Sequence, residues 1–308
     1  MGKDNKYIKG VIVPMITPFN EDLSLDFASL RRLLDTFLET EVSVFILGTT
    51  GESVSISDKQ KLLLVKTVCE YLNGKIKIYA GISGNCLSES IDQARFYVQT
   101  GVYAVVAHLP FYYPLESDQM VRYFEELADN ITCPLILYNI PVTTKQSIPV
   151  SVVDQLSHHP NIAGIKDSEN EIERINESLK LWKDRSDFVH LMGCAVHSTY
   201  SLQEGSVGIV PSTANFIPKL YQDLYETTIA GDISKALDIQ DRTNRISEIY
   251  QKGRNLSQSI PALKTMMSAY GLCQSYVLPP MLSLDAQQQK LIIEKTIAEM
   301  NEVSDVAL

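Results

Sequence analysis

The feature of this sequence that most limits its fold is a regular alternation of short apolar runs with segments of helical spacing. The runs are four to six residues long and nearly all apolar, as expected for strands that are buried on both faces. Each run leads into a segment whose apolar residues recur every three or four positions, which is typical of a helix. The eight runs are Val11–Ile16, Ser43–Leu47, Ile76–Ala80, Tyr103–Ala107, Leu135–Tyr138, Ile162–Lys166, Phe188–Met192 and Val207–Val210.

Eight strand–helix units over about 230 residues predict a closed (β/α)8 TIM barrel of the α/β class rather than an open sheet. The first run is not followed by Gly-x-Gly-x-x-Gly, which argues against a dinucleotide-binding sheet. Side chains of the N-cap type are expected to start four of the helices, and Gln60 is expected to complete a capping box with Ser57. The four are Asp26, Ser57, Ser88 and Ser117.

The alternation stops near residue 230, and three helical stretches follow without a strand between them. They cover about Ile233–Tyr250, Ser259–Tyr270 and Asp285–Asn301. No linker-like composition separates them from the preceding units. We therefore expect a barrel over residues 1–230 and a C-terminal helical extension over residues 231–308 that packs on it.

The bulk composition excludes several classes of partner. A formal net charge of −10 does not supply the basic surface that nucleic acids and anionic membranes require. No apolar run approaches the roughly 18 residues of a membrane-spanning helix, and the polar N-terminus lacks the apolar core of a signal peptide. The five cysteines are scattered and form no Cys-x-x-Cys pair. We expect a cytoplasmic protein with reduced thiols.

The side chains that carry chemistry in such a barrel lie at the carboxyl ends of its strands. Lys166 closes the sixth apolar run, where few waters would surround it. Burial disfavours an ammonium, and a neutral lysine amine is the nucleophile that forms an imine with a ketone. The alternative is a structural lysine that extends to solvent or pairs with Asp167 or Glu169, and this strand alone leaves both open.

Other strand ends place hydroxyl groups near the same point. Tyr138 closes the fifth run and is either a proton-transferring phenol or a core aromatic. Thr49 and Thr50 lie between glycines and form either a carboxylate-binding turn beside a helix N-terminus or a plain turn. The aromatic run at 111–113 is either packing or a loop that sends a hydroxyl into this site or that of a neighbouring subunit. No His-x-His cluster lies at a strand end, so we expect no metal.

Four strand-end motifs, taken together, resemble those of the dihydrodipicolinate synthase / N-acetylneuraminate lyase family. They are Gly-Thr-Thr-Gly-Glu at 48–52, Pro-Phe-Tyr-Tyr at 110–113, Tyr-Asn-Ile-Pro at 138–141 and Gly-Ile-Lys-Asp at 164–167. The resemblance extends from about Lys9 to Glu299 and includes the helical extension. Each motif is weak alone, but four in this order on the predicted strands are specific as a set.

The resemblance implies a class I lyase that acts on pyruvate and other 2-keto acids through a covalent imine with Lys166, without a separate cofactor. Tyr138 would be the proton-transferring phenol, and Thr49 would relay protons between Tyr138 and Tyr112. In this family the tyrosine that matches Tyr112 is commonly supplied across a dimer interface. The resemblance therefore also implies a homodimer or homotetramer.

The same resemblance implies the residues that bind the keto acid. Thr49 and Thr50, next to Gly48, would hold its carboxylate, and the backbone carbonyl of Val210 would lie near the imine. Dihydrodipicolinate synthases carry an arginine shortly after the Tyr-Asn-x-Pro motif, where this sequence has Thr143. A threonine cannot make the bidentate contact with a carboxylate that an arginine makes. Lys145 lies two positions later and would compensate only in part.

We therefore expect an aldolase that cleaves a 2-keto-3-deoxy sugar acid to pyruvate and an aldehyde, with Thr143, Thr144 and Ser212 near its polyol chain. The nearest alternative is a 4-hydroxy-tetrahydrodipicolinate (dihydrodipicolinate) synthase, which condenses pyruvate with aspartate semialdehyde. Sialic acid lyase and a dehydratase follow. The alternative from another class is a non-catalytic keto-acid-binding protein. An intact nucleophile with a proton relay argues against it, because binding alone needs neither.

Overall fold

A computed structural model describes residues 8–302 of the chain. Eight parallel strands close into a barrel in chain order, and the eighth pairs with the first. The (β/α)8 prediction is confirmed, and every predicted strand agrees with the observed one to within two residues at each end. The strands are β1 (Gly10–Pro14), β2 (Ser43–Ile46), β3 (Ile78–Gly81), β4 (Ala104–His108), β5 (Leu135–Asn139), β6 (Ile162–Asp167), β7 (Val189–Met192) and β8 (Gly208–Ile209).

Helices follow the strands and surround the barrel. They are α1 (Phe27–Glu39), α2 (Asp58–Leu72), α3 (Leu87–Thr100), α4 (Ser117–Asp129), α5 (Pro141–Thr144), α6 (Val150–Ser157), α7 (Ile172–Trp182), α8 (Ser198–Glu204), α9 (Pro218–Ile229), α10 (Ile233–Gln251), α11 (Leu256–Ser268) and α12 (Ala286–Glu302). None of the helices within residues 8–302 is long and apolar enough to cross a membrane. The five cysteines are all free thiols.

Two of the four predicted N-cap residues are confirmed. Asp26 and Ser57 cap α1 and α2, because their side-chain oxygens accept hydrogen bonds from backbone N–H groups of the first turn. Ser88 and Ser117 are not caps, since they lie at the second residue of α3 and the first residue of α4. The capping box is also wrong: Gln60 Oε1 accepts from the Ser57 hydroxyl at 3.3 Å instead of from the Ser57 backbone.

The three C-terminal helices are present where the sequence predicts them, and α10 packs against α9 of the barrel as well as against α11 and α12. Helix α11 begins three residues earlier than predicted. Its start is fixed by Asn255, whose Oδ1 accepts from the backbone N–H of Gln258 at 3.2 Å. The division at residue 230 stays a prediction, and residues 1–7 and 303–308 of the two predicted units lie outside the described residues.

The buried side chains form two clusters, one inside the barrel and one between the strands and the helices. Along β5, Ile136 and Tyr138 belong to the interior cluster, while Leu135 and Leu137 belong to the outer one. This alternation follows from the two-residue repeat of a strand. It directs the side chain of Tyr138 to the barrel axis at the carboxyl end of β5.

Candidate active site

The carboxyl ends of β5 and β6 bring a lysine amine and a phenol together inside the barrel. Tyr138 and Lys166 are register partners across these parallel strands, so their side chains leave the sheet on the same face. Lys166 Nζ lies 3.6 Å from the centroid of the Tyr138 ring. On the other side, the Tyr138 hydroxyl lies 3.4 Å from Thr49 Oγ1. Three residues that the sequence singled out on β5, on β6 and after β2 therefore meet at one point.

Lys166 is almost completely removed from solvent, with 5% of its surface exposed. Its Nζ donates a hydrogen bond to Ser168 Oγ at 2.9 Å. Burial lowers the pKa of Lys166, and this effect outweighs the opposing influence of Tyr138 and Asp167. The amine therefore loses its proton more readily than a lysine on the surface, which is what attack on a ketone requires.

The neighbouring carboxylates are held away from this amine. Asp167 Oδ2 accepts from Arg174 Nε at 2.6 Å, and the same nitrogen lies 3.4 Å from Glu169 Oε2. Asn139 Nδ2 donates to both carboxylates, at 2.9 and 2.8 Å. In the described part of the chain, no carboxylate lies within ion-pair distance of Lys166 Nζ. The alternative of a structural lysine paired with Asp167 or Glu169 is therefore not the observed arrangement.

A cavity of about 760 Å³ opens above Lys166, within the range of small-molecule sites. Of the predicted binding residues, Thr49, Thr50, Val210 and Ser212 line it. The helix that begins beside the threonines is a short 3-10 helix at 53–55, and α2 begins only at Asp58. A carboxylate at this turn would meet its hydroxyls and its own backbone N–H groups.

Four predicted site residues, Gly48, Tyr112, Thr143 and Thr144, do not line the cavity of this chain. Gly48 is buried below the turn, where a Cβ atom would lie 2.8 Å from the Phe45 ring. Thr143 Oγ1 donates to the carbonyl of Ile140 at 3.1 Å, so its hydroxyl is used within α5. Tyr112 lies on the loop before α4 with 76% of its surface exposed. Its position leaves the hydroxyl available to another molecule.

Ser168, the hydrogen-bond partner of the Lys166 amine, was not predicted from the sequence. Ser168 follows Lys166 by two positions, and the alternation of side chains along an extended strand would have placed both on one face. Gly193, after β7, makes room for it, since a Cβ atom at this position would lie 2.1 Å from Ser168 Oγ. Any larger residue at position 193 would displace the Ser168 hydroxyl.

The far wall of the cavity comes from the helical extension, in which no site residue was predicted from the sequence. Its polar members are Asn244, Ser247, Glu248, Tyr250, Gln251, Lys252, Arg254, Asn255 and Ser259. Arg254 is half-buried, and its Nη1 donates to the carbonyl of Ile249 at 3.2 Å. Among residues 8–302 no carboxylate forms an ion pair with Arg254. Amide, hydroxyl and guanidinium groups therefore line this wall together with the Glu248–Lys252 ion pair.

Metal-binding side chains are not grouped in this site. Between residues 8 and 302 there is no set of three or more His, Cys, Asp or Glu side chains that could hold an ion. Cys194 lines the cavity beside Lys166, and burial raises the pKa of its thiol. The expectation that the protein uses no metal and no separate cofactor stays a prediction.

A buried amine of lowered pKa, a phenol beside it and a cavity at the carboxyl end of a (β/α)8 barrel define the class of lyases that form an imine with a keto acid. The family model of the dihydrodipicolinate synthetases matches residues 7–299, and the chain belongs to this family. Its members are pyruvate-dependent class I lyases or aldolases, so the chain is an enzyme of this class.

Relatives and solved structures agree with this assignment. The 4-hydroxy-tetrahydrodipicolinate synthase of Aromatoleum aromaticum is 29% identical over 287 residues, which are 93% of this chain and 96% of that protein. An uncharacterized DapA-like lyase of Thermofilum pendens is 30% identical over 263 residues, 84% of this chain and 87% of that one. The Escherichia coli protein YagE, of the dihydrodipicolinic acid synthase family and solved in complex with pyruvate, has a TM-score of 0.89 at 25% identity, covering 95% of this chain and 98% of its own.

Proposed function

We propose that this enzyme cleaves a 2-keto-3-deoxy sugar acid to pyruvate and an aldehyde through an imine on Lys166. The observation that carries the proposal is the buried Lys166 amine, which lies 3.6 Å from the centroid of the Tyr138 ring and has a neutral hydroxyl as its hydrogen-bond partner. A lysine that only stabilised the fold would be expected to neutralise a buried carboxylate. Here the adjacent Asp167 pairs with Arg174 instead.

The reaction follows from the positions of these groups. The neutral Lys166 amine attacks the keto carbon, and loss of water with a proton donated by the Tyr138 phenol gives a protonated imine, which withdraws electrons, and leaves Tyr138 as a phenolate. Tyr138 takes the proton of the hydroxyl on the fourth carbon, directly or through Thr49. The bond between the third and fourth carbons then breaks, its electron pair forms an enamine, and the aldehyde leaves. Protonation of the enamine and hydrolysis of the imine release pyruvate and restore the amine.

The proposed binding of the keto acid uses the remaining strand ends. Its carboxylate lies against the hydroxyls and N–H groups of Thr49 and Thr50, in a turn that Gly48 allows to pack on the barrel, and the Val210 carbonyl lies near the imine. All of these except Gly48 line the cavity, which supports the assignment. The neutral Lys166 amine would react with the ketone of the keto acid, while the donors of Thr49 and Thr50 would bind its carboxylate.

Tyr112 would complete the proton relay from a second copy of the chain. Two observations support this role: its ring is largely exposed, and its loop is held in place, since Gln146 Nε2 donates to the Tyr113 carbonyl at 3.2 Å. A homodimer or a homotetramer built from such dimers is the expected assembly. Light scattering coupled to gel filtration measures the state, and activity lost in Tyr112→Phe but restored by mixing with Lys166→Ala subunits tests the exchange of tyrosines.

The choice of a sugar acid is supported by the far wall of the cavity. Asn244, Gln251, Asn255 and Ser259 bring amide and hydroxyl groups to the lining of the same cavity as Lys166. Thr143 and Thr144 were expected to contact the polyol chain of the substrate, but both hydroxyls donate to the Ile140 carbonyl at 3.1 Å. We therefore assign the contact with this chain to the far wall. Ser212 keeps its place at the edge of the cavity, with its hydroxyl 2.7 Å from that of Tyr250.

A synthase that condenses pyruvate with aspartate semialdehyde is the second candidate. Named relatives such as that of Aromatoleum aromaticum are synthases. Arg254 is the observation on this chain that favours it, because a cavity-lining guanidinium would bind the carboxylate of the semialdehyde in the absence of an arginine at position 143. Arg254→Met would then lose activity with aspartate semialdehyde and keep pyruvate binding.

Borohydride reduction in the presence of pyruvate, followed by peptide mass spectrometry, tests the proposal. A reduced pyruvoyl adduct on Lys166 supports imine chemistry, and a screen of 2-keto-3-deoxy sugar acids against aspartate semialdehyde then separates the two candidates. Absence of an adduct in folded protein would favour the non-catalytic keto-acid-binding alternative. The expected cytoplasmic location, supported by the free thiols, and the absence of nucleic-acid partners, supported by a net charge of −10, stay proposals.

A further inference from the structure

The turn that carries Thr49 and Thr50 has a backbone that its own hydrogen bonds do not explain. Leu47 and Glu52, on either side of it, have positive φ angles of 56° and 60°. Non-glycine residues adopt this left-handed conformation only at an energetic cost, and it persists where the surroundings impose it. Within the turn, the N–H groups of Gly51 and Glu52 donate to the carbonyls of Gly48 and Thr49 at 3.1 Å each. The constraint that fixes Glu52 must come from outside the turn.

That constraint is a buried ion pair between Glu52 and Lys264 of helix α11, whose side chains are both 0% exposed. Glu52 Oε2 also accepts from the backbone N–H of Leu278 at 2.7 Å. Lys264 Nζ donates to the carbonyls of Thr17 at 2.7 Å and Tyr276 at 2.8 Å. Lys264 Nζ is thus surrounded by the Glu52 carboxylate and two backbone carbonyls, which compensate its charge inside the fold.

The Glu52–Lys264 pair is also connected to the turn through Thr17, which lies in the segment after β1. Thr17 Oγ1 donates to the carbonyl of Gly51 at 2.7 Å, while the Thr17 carbonyl accepts from Lys264. Lys264 of the extension is thus connected to the turn twice, directly through Glu52 and through Thr17 to Gly51. The same helix lines the cavity through Ser259, so it both covers the site and fixes its turn.

We propose that Lys264 is a positioning residue for keto-acid binding, which acts by holding Glu52 and thereby the Thr49–Thr50 turn against which the substrate carboxylate lies. The inference rests on the proposed function. It assigns the helical extension a part in the affinity for the keto acid, although Lys264 itself touches no reacting atom. Because a buried charge tolerates the loss of its partner poorly, Glu52 and Lys264 should act as a unit and not as two separate contributions.

The test compares Lys264→Met, Glu52→Gln and the double variant by borohydride trapping over a range of pyruvate concentrations. Arg185→Met is the matched control. It removes a half-buried guanidinium that pairs with Asp187 at 2.8 Å and donates to the Ser157 carbonyl at 3.1 Å, at the opposite end of the barrel. We expect Lys264→Met to raise the half-saturating pyruvate concentration about 10-fold or more, roughly the effect of one strong polar contact. The maximal trapping rate should change far less.

Three outcomes decide the matter. The half-saturating pyruvate concentration of the double variant should not exceed that of the more affected single variant. Additive increases would show that the two residues act independently and would overturn the proposal. An unchanged half-saturation in folded Lys264→Met, or an equal rise in Arg185→Met, would also overturn it. If Lys264→Met does not fold, Glu52→Gln carries the test with a smaller expected rise. Absence of an adduct in the wild-type protein would instead reject the proposed function itself.

Discussion

Two lysines are buried at the same end of this barrel, and their surroundings differ in one respect. Lys264 faces the Glu52 carboxylate and two backbone carbonyls. Lys166 donates to the neutral hydroxyl of Ser168, and the carboxylate next to it in sequence is bound by Arg174. Burial lowers the pKa of both amines, but only at Lys264 does a carboxylate that opposes this effect form an ion pair with the amine. One surrounding stabilises an ammonium, and the other favours a neutral amine.

The comparison shows that burial alone does not make a lysine a nucleophile. The acceptors around the amine decide whether its charge is compensated. Arg174 therefore contributes to the reactivity expected of Lys166, because it pairs with Asp167 and Glu169, which would otherwise be available to the amine. Replacing this arginine would free two carboxylates near Lys166 and make the two lysines alike.

Lys166→Met is expected to have the largest effect among the variants that distinguish the two lysines. This variant should abolish turnover and borohydride trapping, because no other amine within residues 8–302 lies at the Tyr138 ring. Lys264→Met should still form an adduct at high pyruvate concentration. Trapping by peptide mass spectrometry measures both, and an adduct in folded Lys166→Met would remove the imine mechanism.

Tyr138→Phe distinguishes the contribution of the Tyr138 hydroxyl from that of its ring. Phenylalanine keeps the aromatic face 3.6 Å from the Lys166 amine and loses the contact with Thr49. Turnover should fall about 10²- to 10⁴-fold, as for a lost general acid–base, while the protein keeps its fold. Steady-state kinetics with circular dichroism as a control measures this. A wild-type rate would restrict Tyr138 to packing.

The two lysines should have opposite effects on stability. The folded pKa of Lys166 is below its unfolded value of 10.5, so its ionisation opposes folding at neutral pH, and this penalty disappears as the pH rises towards 10.5. Lys166→Met should therefore unfold at an equal or higher urea concentration than wild type at pH 7. Lys264→Met, which leaves Glu52 unpaired, should lose about 3–5 kcal/mol. Urea denaturation at two pH values checks both, and a destabilised Lys166→Met would contradict the sign.

The sequence was sufficient for the parts of the molecule that depend on local pattern. The strands followed from the apolar runs, and Lys166 and Tyr138 followed from the rule that strand ends form the site. The contacts of Lys264 could not be predicted, because it lies 212 positions after Glu52 in the chain and only the folded extension brings them together. Thr143 and Thr144 looked like substrate ligands for a similar reason: their local use by the Ile140 carbonyl depends on the turn of α5.

The smallest expected effect concerns Ser168, the partner that makes the surrounding of Lys166 neutral. Ser168→Ala removes a hydrogen bond of 2.9 Å to the amine without adding a charge, so turnover should fall only about 3- to 10-fold, the equivalent of one ordinary hydrogen bond. Ser168→Asp is the sharper variant, because it gives Lys166 the carboxylate that Lys264 already has. It should raise the pKa of Lys166 and slow trapping far more at neutral pH than at high pH. Trapping rates across pH measure this, and equal losses in the two variants would mean that the charge of the acceptor does not distinguish the two lysines.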